Sequence, residues 1–182
     1  MKPLVFFISL FIWSHIAFAQ FPSSPIIINF ERDFKGKPDK NSPFVALTVL
    51  TWEYSYQTEI RRDHLTITFQ HEYKIEKGLS WVKLERLKDP ALKARVLHHE
   101  QGHVNISFIM VKEADRVLSS RTYSKKDYRS EIGMLASSIS EFFDTMQKNY
   151  DDETEHGSNY KMQQRWDKII QEKMEEVTGE KV

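Results

Sequence analysis

Apolar and polar residues alternate along the first half of this 182-residue chain, and the period changes in the second half. Alternation over residues 44–57, and again over residues 65–75, is typical of strands with one buried face. Residues 61–64 form the predicted turn between them, and residues 81–85 are predicted to form a further short strand. The first half therefore predicts a small antiparallel β-sheet.

Apolar positions three and four residues apart follow, which is the period of an amphipathic helix. Asp89 and Pro90 suit the N-cap and the first helical position, so a long helix is predicted from Pro90 to about Ser120. Two more helices are predicted, one opened by Ser124 and one after Gly157. The three apolar stripes consist of Leu92, Val96, His99, His103, Ile106 and Met110; of Ile132, Leu135, Ile139, Phe142 and Met146; and of Met162, Trp166, Ile169, Ile170 and Met174. The predicted fold class is α+β, a small antiparallel sheet followed by a three-helix part.

The long helix contains the sequence His-Glu-Gln-Gly-His, from His99 to His103. Residues four apart on a helix lie on one face, with Cβ atoms about 6 Å apart, so the two imidazoles can share one metal ion. Both histidines fall on the apolar stripe, where burial is costly unless their ring nitrogens have a partner. This placement disfavours the alternative of two partly exposed histidines without a metal. Glu100 lies between them, in place to accept a proton from a metal-activated water.

The first residues have the pattern of an export signal, so residues 1–19 are predicted to be a signal peptide. Lys2 is basic, residues 4–13 are apolar, and Ala17-Phe18-Ala19 has the pattern of a cleavage site. The apolar run is too short to act as a membrane anchor, and no later segment is apolar enough to cross a bilayer. Residues 20–43 are predicted to form an N-terminal extended arm with a short strand at 26–30, and residues 44–182 a single domain. We expect a secreted or periplasmic protein.

Charge and cysteine content exclude several partners and ligands. The 26 basic side chains balance 26 acidic ones, so there is no electrostatic attraction to nucleic acid or to an anionic membrane surface. The sequence has no cysteine, which excludes a disulfide framework and thiolate ligands. A metal site in this protein must therefore use histidine and carboxylate side chains.

A second notable stretch is Tyr150-Asp151-x-x-Thr154-x-His156-Gly157. An acidic run is typical of a solvated loop, but that interpretation leaves the histidine before a glycine unexplained. Together with His99-Glu100-Gln101-Gly102-His103, the stretch resembles the bacterial family of predicted secreted zinc-dependent proteases, filed as domain of unknown function family 922. The resemblance covers about residues 50–157 and implies a zincin-like fold with Zn²⁺ as cofactor. It also implies that His99, His103 and His156 are the zinc ligands and that Glu100 is the catalytic base.

The residues themselves leave the third ligand open between His156 and Glu131. His98 points about 100° away around the helix, and His64 and His71 belong to the predicted sheet, so His156 is the remaining imidazole. A second helix running back along the first would return His156 to the motif. Glu131 is the competitor because it lies on that returning helix, and a glutamate is the third ligand in other zinc proteases.

These residues predict an exported zinc-dependent metallopeptidase that acts on a peptide or protein substrate. Tyr150 is the candidate for stabilising the oxyanion, with packing in the core as its alternative, and Asp151 or Glu153 is expected to orient a ligand histidine. Two other functions stay open: a zinc amidase acting on cell-wall peptide, and a non-catalytic exported binding protein with a structural zinc site. Glu100 favours catalysis, whereas a closed shell of four ligands would favour the binding protein.

Overall fold

The computed structural model describes residues 23–179, so the predicted signal peptide at residues 1–19 lies outside the described part. Within this range there are four α-helices and four β-strands, arranged in two antiparallel sheets. The predicted α+β class is therefore confirmed. No helix in residues 23–179 is long and apolar enough to cross a membrane.

The predicted pair of alternating segments forms a long hairpin of strands β2 (Leu50–Arg61) and β3 (His64–Ile75). Its turn places Arg62 at a φ of 53°, the left-handed conformation that tight hairpin turns require. The apolar side of β3 faces the helices, as its alternation predicts; Phe69, Tyr73 and Ile75 are buried there.

The single predicted sheet is wrong in one respect, because the strands form two separate two-stranded sheets. Strand β1 (Ala46–Leu47) pairs with β4 (Trp81–Val82), not with the hairpin. The backbone leaves the ladder at Val49, whose N–H donates to the hydroxyl of Ser80. The predicted strand at 81–85 also ends early, since a 3₁₀ turn follows at Leu84–Arg86.

The N-terminal arm packs on the domain, but the strand predicted at residues 26–30 does not form. Its backbone pairs with side chains: Gln101 accepts from the Ile28 N–H at 3.0 Å and donates to the Ile26 C=O at 2.9 Å. Helix α1 (Phe30–Asp33) follows, and the amide oxygen of Asn29 caps it. The arm is thus anchored to the middle of the histidine motif through Gln101.

Helix α2 (Pro90–Ser120) begins and ends where the sequence predicts, and the Asp89 carboxylate accepts from the Ala91 N–H. It spans about 46 Å and lies between two hydrophobic cores. One core joins α2 to the arm, the β1–β4 sheet and the base of the hairpin. The other joins it to the hairpin and to helices α3 (Tyr128–Thr154) and α4 (Tyr160–Thr178). Because α2 has a hydrophobic core on each side, the histidine motif lies in the interior of the protein.

Helix α3 differs from its prediction at both ends and on its face. It begins at Tyr128, because the Ser124 hydroxyl accepts two N–H groups in a turn before the helix. It continues to Thr154, so the acidic run lies in its last turn and not in a loop. Phe142, assigned to the buried stripe, is 61% exposed, whereas Phe143 is 5% exposed.

Candidate metal centre

His99 and His103 lie side by side on α2, with ring centroids 4.9 Å apart. His99 is 2% exposed, and the side chain of His103 is 13% exposed. Their Nε2 atoms point toward α3, which runs back along α2 and ends beside them. The helical spacing that the sequence predicts therefore places two imidazoles on one buried face.

One carboxylate oxygen lies among three histidines. Asp151 Oδ1 is 3.0 Å from His99 Nε2, 3.0 Å from His103 Nε2 and 3.1 Å from His156 Nδ1. Burial by itself would raise the pKa of Asp151, but its hydrogen bonds with His103 and His99 outweigh burial and lower the pKa. Burial would lower the pKa of His103, but the Asp151 hydrogen bond and the charge of Glu100 raise it. Both shifts favour an ionised Asp151 next to a protonated His103.

The chemistry of this donor set fits a divalent metal ion. Neutral imidazole nitrogens and a carboxylate oxygen all present lone pairs, which repel one another unless a proton or a cation lies between them. Separations of 3.0–3.1 Å are near the ~3.3 Å edge of a tetrahedron with ~2.05 Å bonds. The ligand atoms of His99, Asp151 and His156 all lie within 4.8 Å of one another and can hold a metal ion. His103, a predicted ligand, contacts the same Asp151 oxygen but is not part of this group.

The backbone after α3 turns sharply to present His156. Glu155, His156 and Gly157 have φ values of 51°, 51° and 79°, three successive left-handed residues. Such a conformation costs about 1–3 kcal/mol for each residue with a side chain and often occurs at functional sites. A Cβ on Gly157 would lie 2.8 Å from His99 Cβ, so only glycine permits this approach. The ring of Phe44 packs on His156, with centroids 4.2 Å apart.

Glu100 is buried beside the histidines, with 4% of its surface exposed. The Thr48 hydroxyl, from the segment between β1 and β2, donates to Glu100 Oε2 at 2.6 Å. No other hydrogen bond to the Glu100 carboxylate is present within residues 23–179. Thr48 thus fixes one oxygen and leaves Oε1 available for a proton.

A cleft of about 960 Å³ opens over these side chains, and Glu100 is part of its lining. Strand β1 forms one wall. The Val45 C=O accepts from the Lys83 N–H at 2.8 Å, and paired residues alternate between bonded and non-bonded positions in an antiparallel ladder. The N–H and C=O of Ala46 therefore point away from β4, and Ala46 lines the cleft.

Residues 29–157 match the model of a family described as "Bacterial protein of unknown function (DUF922)". The chain belongs to this family. The DUF922 segment contains His99, Glu100, His103, Asp151 and His156, whereas α4 lies beyond it. Searches of curated proteins and of solved structures found no match for this protein.

Tyr150 does not have the position that its predicted oxyanion role requires. The residue is 0% exposed, its hydroxyl donates to the His99 C=O at 3.0 Å, and the same oxygen accepts from Gln163. Burial raises the pKa of this hydroxyl. Its ring stacks on that of His99 at 4.7 Å, and Gly102 makes room for it on α2. Tyr150 is a packed aromatic residue that supports the motif helix.

The other sequence candidates lie away from the cluster. Glu131 is 20 residues before Asp151 on the same helix, about 30 Å along its axis, and binds the Ser124 N–H. Glu153 accepts from the Trp166 indole and so faces α4. His98 binds Asp167 at the surface, and His71 lies on the face of β3, where Trp52 donates to its Nδ1.

Sequence reasoning missed three polar residues around the site, namely Thr48, Gln147 and Gln163. The Oε1 atoms of Gln147 and Gln163 lie 2.6 and 3.2 Å from the Nδ1 atoms of His103 and His99. The sequence does indicate Gln163, because this residue lies within the apolar stripe of α4. In the structure it is buried, with 6% of its surface exposed. A buried amide on an apolar stripe requires partners.

Proposed function

We propose that this member of DUF922 is an exported zinc-dependent metallopeptidase with Glu100 as its general base. The observation that supports this most directly is the meeting of three histidines and Asp151 beside a buried glutamate, at the floor of a cleft. A purely structural metal site has no need for an unshared carboxylate oxygen next to its ligands. The predicted signal peptide supports export.

Zinc is the metal that the donor set favours. Imidazole and carboxylate ligands without any thiolate are typical of catalytic zinc sites, which leave a position open for water or substrate. His99, His103 and His156 would hold the ion, and Asp151 approaches all three. When bound, zinc would act as a Lewis acid and lower the pKa of a water molecule to near neutrality.

Glu100 would accept a proton from the attacking water at Oε1 and return it to the leaving amine. The Thr48 hydroxyl holds Oε2, so the carboxylate keeps one orientation during the transfer. The substrate would lie along β1, whose Ala46 backbone groups point away from β4 and can pair with an extended peptide. A peptide bond of that substrate would then lie over the histidine motif.

Asp151 supports a second candidate, a non-catalytic exported binding protein with a structural zinc site. If Asp151 binds the metal together with three histidines, the ion has four protein ligands and no open position. The two functions differ in one measurable property. A cobalt-substituted protein with an open position changes its visible spectrum when a hydroxamate is added, whereas a closed four-ligand site does not.

The Glu100→Gln variant tests the catalytic proposal. We expect the mature protein to cleave members of a mixed peptide library and the variant to be slower by more than about 100-fold, because the amide cannot accept the proton. Zinc content and the unfolding midpoint should match those of the wild type. Glu113→Gln, on the same helix but paired with Arg116, is the matched control and should keep full activity.

Two results would contradict the proposal. A Glu100→Gln protein that keeps full activity on a substrate cleaved by the wild type would exclude the base role. A wild-type protein that binds one zinc ion, cleaves no peptide and gives no hydroxamate response would support the binding protein.

A further inference from the structure

Two glutamine side chains lie behind the histidine motif, one on each of the two helices that pack on α2. Gln147 belongs to α3 and Gln163 to α4. Each places its amide against the Nδ1 atom of one motif histidine, on the side of the ring opposite Asp151. These contacts have a chemical consequence because an amide oxygen only accepts and an amide nitrogen only donates.

The orientation of the Gln147 amide is fixed by groups other than the histidine ring. Its Nε2 donates to the backbone carbonyl of His103 at 3.0 Å and to the Ser107 hydroxyl at 3.0 Å. A carbonyl can only accept, so the nitrogen must lie on that side. Gln147 Oε1 therefore faces His103 Nδ1 at 2.6 Å, and Nδ1 must carry the hydrogen.

The same reasoning applies independently to Gln163. Its Nε2 donates to the carboxylate of Asp167 at 2.9 Å and to the Tyr150 hydroxyl at 2.8 Å. The Tyr150 hydroxyl is free to accept because its own hydrogen goes to the His99 C=O. Gln163 Oε1 is left to accept from His99 Nδ1 at 3.2 Å.

We propose that Gln147 and Gln163 are positioning residues that hold His103 and His99 in the Nδ1–H tautomer, with both Nε2 lone pairs directed at the metal. The proposal rests on the metal site described above, but it does not depend on peptidase activity. A ligand histidine almost always donates its other N–H, and loss of that acceptor typically lowers metal affinity about 10–100-fold.

Gln163 extends the functional unit past the family segment. The DUF922 match ends at residue 157, whereas Gln163, its anchor Asp167 and the neighbouring Trp166 all lie on α4. Asp167 also binds His98 at 2.9 Å, so the network runs from the protein surface to His99. Helix α4 is thus a working part of the metal centre in this protein.

The test compares Gln163→Leu with wild type in two measurements. Two-bond ¹H–¹⁵N correlations of the zinc-loaded protein report whether His99 carries its hydrogen on Nδ1, and the solvent exchange of that hydrogen reports whether Gln163 accepts it. Zinc titration against a competing chelator reports affinity. We expect a slowly exchanging Nδ1 hydrogen in wild type, faster exchange in the variant, and a rise in the zinc Kd of about 10–100-fold.

Two further variants separate positioning from general damage to the fold. The double variant Gln163→Glu with Asp167→Asn keeps an acceptor at His99 Nδ1 and a donor–acceptor pair between positions 163 and 167, so its zinc Kd should stay within about threefold of wild type. Gln164→Leu makes the same change at the adjacent exposed position and should leave zinc affinity unchanged. If Gln163→Leu does not fold, the result for the double variant decides.

The inference is overturned if His99 of the zinc-loaded wild type carries its hydrogen on Nε2, or if Gln163→Leu binds zinc as tightly as wild type. A large loss of affinity in the folded double variant Gln163→Glu with Asp167→Asn would overturn it as well. Failure of the proposed function is distinguishable, because a wild-type protein without peptidase activity still gives a tautomer and a zinc Kd.

Discussion

The histidines of the motif share one oxygen of Asp151, a residue that the sequence places in an acidic run. Four carboxylates within five residues at a helix C-terminus oppose the helix dipole, so the local sequence favours a solvated loop there. The contacts of Asp151 outweigh that preference, and Lys148 pairs with Asp152. Asp151 thus belongs to the candidate metal centre because the histidines of α2 lie opposite it, and not because of its neighbours in the sequence.

His156 is the residue whose removal tests the ligand set. We expect His156→Ala to lower zinc affinity by more than about 100-fold, because loss of a direct ligand should exceed the effect of losing an outer hydrogen bond. Isothermal titration of the mature protein with zinc measures this. Glu131→Ala is the control and should bind zinc normally. The opposite ranking would assign the third ligand to Glu131.

Asp33, a single residue in the N-terminal arm, predicts how the stability of the fold depends on pH. Burial would raise its pKa, but hydrogen bonds from Arg32 and the Asn29 N–H lower it from 3.8 to about 2. The ionised form therefore stabilises the fold fully above pH 3.8, and this contribution is lost as the pH falls to about 2.

We expect Asp33→Asn to lower the free energy of unfolding by about 1–2 kcal/mol at neutral pH, after allowance for the exposed Arg32 partner. The difference from wild type should shrink as the pH falls through that window. Urea unfolding at several pH values measures it. Asp63→Asn, at an exposed pair with Lys125, should change little. A difference that is constant with pH would refute the assignment.

At the scale of elements, the site depends on how closely α2 and α3 approach. A Cβ on Gly102 would lie 2.2 Å from the Tyr150 hydroxyl and 2.6 Å from Cζ of the same ring. Tyr150 cannot move away easily because it is fully buried and hydrogen-bonded to both α2 and α4. The glycine inside the motif therefore determines the helix spacing.

Gly102→Ala should destabilise the protein by about 2–3 kcal/mol, because the added methyl group forces α2 and α3 apart. Gly133→Ala is the matched control, since it lies inside α3 and a Cβ there meets nothing within 4 Å. That change should stabilise the protein by about 0.5–1 kcal/mol through helix propensity. Urea unfolding compares the two, and equal stabilities would contradict the packing argument.

For the molecule as a whole, α2 is the element on which both cores meet. The arm, the hairpin, α3 and α4 each contact it. The residues of the candidate metal centre come from α2, from the last turn of α3 and from the turn that follows it. A ligand that binds only the assembled cluster stabilises the whole fold by mass action, by about 2.7 kcal/mol at 100 times its Kd.

Zinc should accordingly raise the thermal unfolding midpoint of the mature protein, and a chelator should reverse the change. At the same zinc concentration the midpoint of His156→Ala should rise less than that of wild type, whereas His64→Ala, at the exposed start of β3, should respond like wild type. Calorimetry measures both midpoints. A wild-type midpoint that zinc does not change would argue against a specific site.

The sequence by itself determined the features that depend on nearby residues. The bounds of α2 follow from Asp89, Pro90 and the helical period of the apolar residues. The two strands of the hairpin follow from the alternation of apolar and polar residues. The four-residue spacing of His99 and His103 placed two imidazoles on one face. Each of these follows from backbone preferences within about one turn of helix or one strand pair.

Only the tertiary structure decided the partners from distant parts of the sequence. His99 meets Asp151 and Gln163 across 52 and 64 residues, and the division into two sheets depends on where the backbone leaves β1. Tyr150 packs against the motif helix as a buried residue because α4 covers it. Periodicity indicates which face of a helix is buried, but the residue that it meets depends on how the helices pack and where the backbone returns.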